Sequence, residues 1–209
     1  MPFPTTNATQ ELPAVNEILA SVGQAPVTTL DQTNPDVAIA YDTLLQVSRE
    51  IQAEGWSFNT ELNYETTTDG NKQFTIPNNW LQVDLSASDN SYGTKNFVRR
   101  NGKLYDRYSH KFELTDDPSG EIILDIIWLY DWVDLPIPIQ DYIVSRAAAI
   151  VSSRIVGDSQ QYQVLAIKEQ QTRASAMEYE CNQGDYTFFG HPTDKNNYKS
   201  YQPYHVLSR

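Results

Sequence analysis

Residues 14–61 read AVNEILASVGQAPVTTLDQTNPDVAIAYDTLLQVSREIQAEGWSFNTE. This stretch predicts a short helix, a turn, a long helix and an aromatic passage into a strand. Val15, Ile18, Leu19 and Val22 fall on one helical face, so a first helix is expected over about Leu12 to Val22. Pro13 suits its first turn, where a missing N–H costs nothing, and Gly23 with Pro26 beyond ends it. Asn34-Pro35-Asp36 opens the second helix with a capping side chain, a preset φ and a carboxylate near the positive helix end. Val37, Tyr41, Leu44, Ser48 and Ile51 form one stripe, widened by Ala40 and Val47; Asp42, Gln46, Arg49 and Glu50 lie largely off it. Gly55 stops the helix, and Trp56 and Phe58 lead into a strand. Burying two aromatics is worth several kcal/mol at roughly 25 cal/mol per Å², so they should pin the second helix to the next element of the chain.

From Ser57 to Asp134 the chain turns rich in Thr, Tyr, Phe, Val and Trp. Asp69-Gly70 between Leu62–Thr67 and Gln73–Ile76 predicts a hairpin. Trp80 to Leu85 predicts a strand with Leu81, Val83 and Leu85 toward one face. Asn101-Gly102 links Asn96–Arg100 to Lys103–Tyr108 and is the strongest hairpin signal in the chain. Glu121 to Tyr130 (EIILDIIWLY) carries Ile122, Leu124, Ile126 and Trp128 on one face and Ile123, Asp125, Ile127 and Leu129 on the other. A central strand covered on both sides is expected there.

Asp134-Leu135-Pro136-Ile137-Pro138 marks the return to helix. Ile139, Ile143, Ala147 and Ile150 share a face, with Tyr142, Arg146 and Val151 beside it, and Gly157 stops the run. Asp158 with Gln161 resembles a capping box and opens a polar fourth helix to about Asn182. Only Tyr162, Leu165, Ala166, Ala174, Ala176 and Met177 are suited to packing there, so that helix is either held by another subunit or mostly solvated. The tail has no helical period but carries Tyr186, Phe188, Phe189, Tyr198, Tyr201 and Tyr204, which suits an arm that orders against a partner. The expected fold is α+β. A four-helix bundle, two N-terminal helices in 12–56 and two C-terminal in 135–183, carries an inserted antiparallel β-rich domain over 57–134. Residues 1–11 form an N-terminal arm and 184–209 an extended C-terminal arm.

The chain has 209 residues, 40% of them hydrophobic and 20% charged, which suffices for a substantial core. No apolar run reaches the roughly 18–20 residues of a membrane span, and MPFPTTNATQE lacks the basic and apolar segments of a secretory signal. With Cys181 as the single cysteine there is no intramolecular disulfide; a soluble, intracellularly made protein is expected. The formal charge of −12 favours solubility and disfavours nucleic-acid backbone, whose affinity comes from Lys and Arg displacing counterions.

Catalytic patterns are sparse. The sequence holds no Gly-x-Ser-x-Gly elbow, P-loop or dinucleotide fingerprint. His110, His191 and His205 stand far apart, and Cys181 has no sequence-adjacent base, so it is expected as a buried or half-buried helix residue. Neither cofactor nor metal is expected. Glu121, Asp125, Asp131 and Asp134 supply carboxylates for a glycoside hydrolase, although a solvated face explains them more simply. Lys95, Arg99, Arg100, Lys103 and Arg107 cluster at the second hairpin among Phe97, Tyr105 and Tyr108. That cluster reads as a nucleic-acid patch, the cationic side of a protein interface, or an ordinary charged hairpin. Arg99, Arg100, Lys103 and Arg107, with Lys168 and Arg173 of the fourth helix and Phe188, Phe189, Tyr198, Tyr201 and Tyr204 of the tail, are the candidate interface residues.

Two segments of the opening stretch, AVNEILASVGQAPVTTL and SREIQAEGWSFNTE, resemble the N-terminal signature of the tail tubular protein A family of short-tailed bacteriophages, the gatekeeper or head-to-tail adaptor. Weaker matches follow in the same order: Tyr105-Asp106-Arg107, IIWLYDWVDLP at 126–136, and Met177-Glu178-Tyr179-Glu180. The resemblance spans roughly 12–190. It implies a structural virion protein, assembled in the host cytoplasm, and not an enzyme. In that family twelve copies form a ring below the portal protein, the tubular nozzle protein attaches beneath, and tail fibres dock at the junction. DNA passes through the channel without specific binding. The resemblance also implies a helical bundle carrying a β-rich domain, with a C-terminal extension that engages the portal.

Overall fold

In the computed structural model of the chain, residues 8–31, 33–86, 97–114 and 120–184 are described. The fold is α+β, with four helices and antiparallel sheets: α1 Ala8–Ser21, α2 Pro35–Gln52, β1 Thr60–Thr67, β2 Trp80–Leu85, β3 Phe97–Arg100, β4 Lys103–Asp106, β5 Glu121–Trp128, α3 Ile137–Ile155 and α4 Ser159–Gln183. A single 3-10 turn, Trp132–Asp134, precedes α3.

The helix signals act as their chemistry dictates. Asn34 accepts from the Asp36 N–H at 3.0 Å, and Pro35 takes the first turn of α2. Val37, Ala40, Tyr41, Leu44, Val47 and Ile51 are all buried. α1 begins at Ala8, so its first turn lies inside the span expected as an arm. α3 is the hub, since α1, α2 and α4 each pack on it. Val15, Ile18, Leu19, Leu44, Ile139, Tyr142, Ile143 and Ala147 belong to one apolar cluster at the centre of this packing.

A second cluster is built from Ile76, Trp80, Phe97, Leu104, Leu114, Ile122, Leu124 and Ile126. Here β5 is central in a three-stranded sheet of order β1-β5-β2, and β3 pairs with β4 alone. Asn101 and Gly102 both take positive φ (52° and 72°), the geometry of the tight two-residue turn that Asn-Gly favours. β2 contains a bulge between Trp80 and Gln82, so Trp80 joins Val83 and Leu85 on the core side. Leu81, expected to share their face, is absent from that cluster.

Four local expectations are corrected. Asp69-Gly70 does not join a hairpin: β1 pairs with β5, and residues 74–76 run beside β4, with Leu104 N–H donating to Phe74 and Ile76 N–H to Gly102. The Asp69 carboxylate instead accepts from the N–H groups of Asn71 and Gln73, closing a local loop that needs no paired strand. Trp56 and Phe58 precede the strand rather than entering it. They sit in a turn closed by Asn59 N–H to the Trp56 carbonyl, although both do pack on the helical cluster. β5 is covered fully on one face only; Ile123, Asp125 and Ile127 on the other are half-buried. Gln161 closes no capping box on Asp158, because its side-chain amide donates to the Ser21 carbonyl at the end of α1.

Candidate functional site

The expected basic hairpin exists, and its side chains divide between its faces. Phe97, Leu104 and Asp106 are buried, with Arg99 on the same face. From there Arg99 donates to the Trp80 carbonyl at 3.2 Å. Val98, Arg100, Lys103 and Tyr105 form the opposite face. Arg100 lies 4.1 Å over the Tyr105 ring, a cation–π arrangement, and Lys103 Nζ donates to Gln73 Oε1 at 2.7 Å. Arg107 and Tyr108 are exposed just beyond β4, and Tyr108 keeps 74% of its surface in solvent. None of the four candidate cations here joins either ion pair seen among the described residues, Arg146–Glu50 and Lys168–Glu17.

The α4 candidates hold their own chain together. Lys168 pairs with Glu17 of α1 at 2.6 Å, and Arg173 donates to the Tyr142 hydroxyl at 3.4 Å. Arg146 reaches the same hydroxyl at 3.3 Å, and that bond raises its pKa. Of the α4 residues thought fit for packing, only Ala176 is buried, while Leu165 and Ala166 are half-buried. Tyr162, Val164, Ile167 and Met177 stay exposed. Cys181, expected at least half-buried, is exposed too, because α4 touches the rest of the chain along one side. Phe188, Phe189, Tyr198, Tyr201 and Tyr204 lie outside the described residues, as do Lys95, His191 and His205.

Sequence reasoning missed a polar junction between helices and sheet. Gln52, fully buried, donates to the Tyr130 carbonyl at 3.2 Å and accepts from the Tyr130 N–H at 2.8 Å. Asn59, 1% exposed, accepts from the Trp56 N–H and donates to the carbonyls of Gln52 and Trp128. Glu180 brings a carboxylate from α4 to the Ser57 N–H (2.9 and 3.0 Å) and hydroxyl (2.9 Å). Gly55 turns the chain here at φ 78°, and a Cβ on it would stand 2.9 Å from Ile127 Cδ1. Such polar side chains read as ordinary solvated residues until their distant partners are known.

Glu121 and Asp125 share a face of β5, yet four residues of extended strand separate their backbones by about 13 Å. Glycosidase carboxylates stand about 5–9.5 Å apart. The Asp125 carboxylate accepts from the Asn63 N–H at 2.9 Å, where β1 shifts register. Among the described residues no cluster of three or more His, Cys, Asp or Glu is placed to hold a metal ion, and no helix is long and apolar enough to cross a membrane.

The chain is 27% identical over 153 residues to tail tubular protein A of Klebsiella phage KP34, covering 73% of this chain and 77% of that protein. The family model for tail tubular proteins matches residues 12–186, which takes in every helix but the first turn of α1, and every strand. The chain therefore belongs to the tail tubular protein family, structural components of the bacteriophage tail.

Proposed function

We propose that the chain is a ring-forming head-to-tail adaptor that joins the portal protein to the tail nozzle and encloses part of the DNA channel. The observation that carries this reading is the family match over 12–186. In this reading twelve copies form the ring, helices α1–α4 act as a bundle, and residues 57–134 act as its β-rich insert. The portal and the nozzle bind opposite ends, tail fibres dock at the adaptor–nozzle junction, and residues 184–209 engage the portal.

A ring built from one repeated heterologous contact needs two different complementary faces on each subunit. An acidic lumen lets DNA slide past, since like charge disfavours contact with phosphate, and the net charge of −12 supplies that sign. Sedimentation of the chain mixed with portal rings tests the reading. Comigration in a complex holding many copies per portal is expected. Removing residues 185–209 should weaken that attachment while leaving the circular-dichroism spectrum and melting transition of the remaining chain unchanged. A chain that never joins the portal overturns the reading.

A further inference from the structure

The β-rich part of the molecule separates charge across its thickness. The β3–β4 hairpin packs against the face of the β1-β5-β2 sheet that bears Ile122, Leu124 and Ile126. Alternation then sends Ile123, Asp125 and Ile127 to the far face of that sheet. Register adds Glu65, opposite Ile123, and Asp84, opposite Asp125, with Glu121 at the end of the same face. Asp84 and Asp125 therefore stand directly across from each other on neighbouring strands, an arrangement that like charges disfavour. Glu65, Asp84 and Asp125 join neither ion pair seen among the described residues. Between these carboxylates Ile123 and Ile127 are half-buried, and Leu62 at the β1 register shift is 54% exposed. On the opposite side of the same layers, the outer face of the hairpin presents Arg100 and Lys103, with Arg107 exposed beyond them.

We propose that the Glu65–Asp84–Asp125 face of the sheet receives the outer face of the β3–β4 hairpin from a second copy of the chain. Charge complementarity selects a second copy as the occupant, because one molecule carries both halves. Their placement on opposite sides makes the contact head-to-tail. Each copy then leaves one face open for the next, which is how a ring grows, whereas a two-fold dimer would use one patch twice. The cations of the incoming hairpin relieve the Asp84–Asp125 opposition. This inference rests on the ring reading and names the surfaces that would close it.

The test uses charge reversal in the full chain, with assembly followed by sedimentation alone and with portal rings. One variant carries Glu65→Lys with Asp84→Lys; the second carries Arg100→Glu with Arg107→Glu; a third carries all four changes. Each two-site variant should self-associate about tenfold or more weakly than the parent. Mixing the two should restore assembly, since each supplies the face that the other has lost, and the four-site variant should assemble by itself. Recovery in the mixture also shows that the variants fold. If the parent assembles and the reversals leave that assembly unchanged, or if neither the mixture nor the four-site variant recovers it, this pair of faces is wrong and the ring reading stands. A parent chain that assembles in neither condition removes both.

Discussion

α3 and α4 follow one another across a single turn, yet the two are held by different physics. Ten of the nineteen residues of α3 are buried, from Ile139 to Ser152, because α1, α2 and α4 surround it. In the twenty-five residues of α4 only Ala176 and Glu180 are buried. Hydrophobic area fixes α3. Polar tethers at separate points fix α4: Gln161 to the Ser21 carbonyl, Lys168 to Glu17, Ser145 to Thr172 at 2.5 Å, and Glu180 to Ser57. A helix anchored in this way keeps most of its surface available to other chains. The polar composition of α4 left two explanations open, a helix held by another subunit or one mostly solvated; within one chain it is neither buried nor loose.

The largest expected effect breaks the α3 side of the contrast. Ile143→Ala opens a cavity in the centre of the helical cluster and should cost about 2–5 kcal/mol, read from the urea midpoint at unchanged m. A loss below about 1 kcal/mol would mean that α3 is not the hub. Glu180→Ala comes next. It leaves the Ser57 N–H without its charge-assisted partner and should cost about 1–3 kcal/mol, measured the same way. An effect as large as that of Ile143→Ala would place α4 among the core helices after all.

These two positions differ in how far they can be foreseen. Ile143 is legible because helical periodicity is local: Ile139, Ile143 and Ala147 repeat within one segment. The Asn101-Gly102 hairpin is legible for the same reason, a two-residue turn whose φ values those residues accept. Asp69-Gly70 carried a similar signal and misled, since the Asp69 carboxylate closes the loop locally and the strand partner is chosen by non-local pairing with β5. Glu180 was illegible: its partner lies 123 residues away, and Asn59 and Gln52 meet Trp128 and Tyr130 across 69 and 78 residues. Family membership, by contrast, was readable, because the residues at 14–61 carry it in their identity rather than in their pattern.

Smaller effects sharpen the α4 side. Lys168→Ala removes an ion pair whose partners are 51% and 53% exposed, so a melting shift equivalent to less than about 0.5 kcal/mol is expected. Val164→Ser, at a side chain 68% exposed, should leave the isolated chain unchanged within about 0.5 kcal/mol. Destabilisation at both positions would show that the outer side of α4 packs on its own chain.

The central claim is that the chain works as one of many identical copies around a channel. Electron microscopy of the chain bound to its portal ring tests this most directly. The account predicts a closed ring of twelve copies on the portal axis, related by one repeated head-to-tail contact. A single copy per portal, or copies paired about two-fold axes, would contradict it.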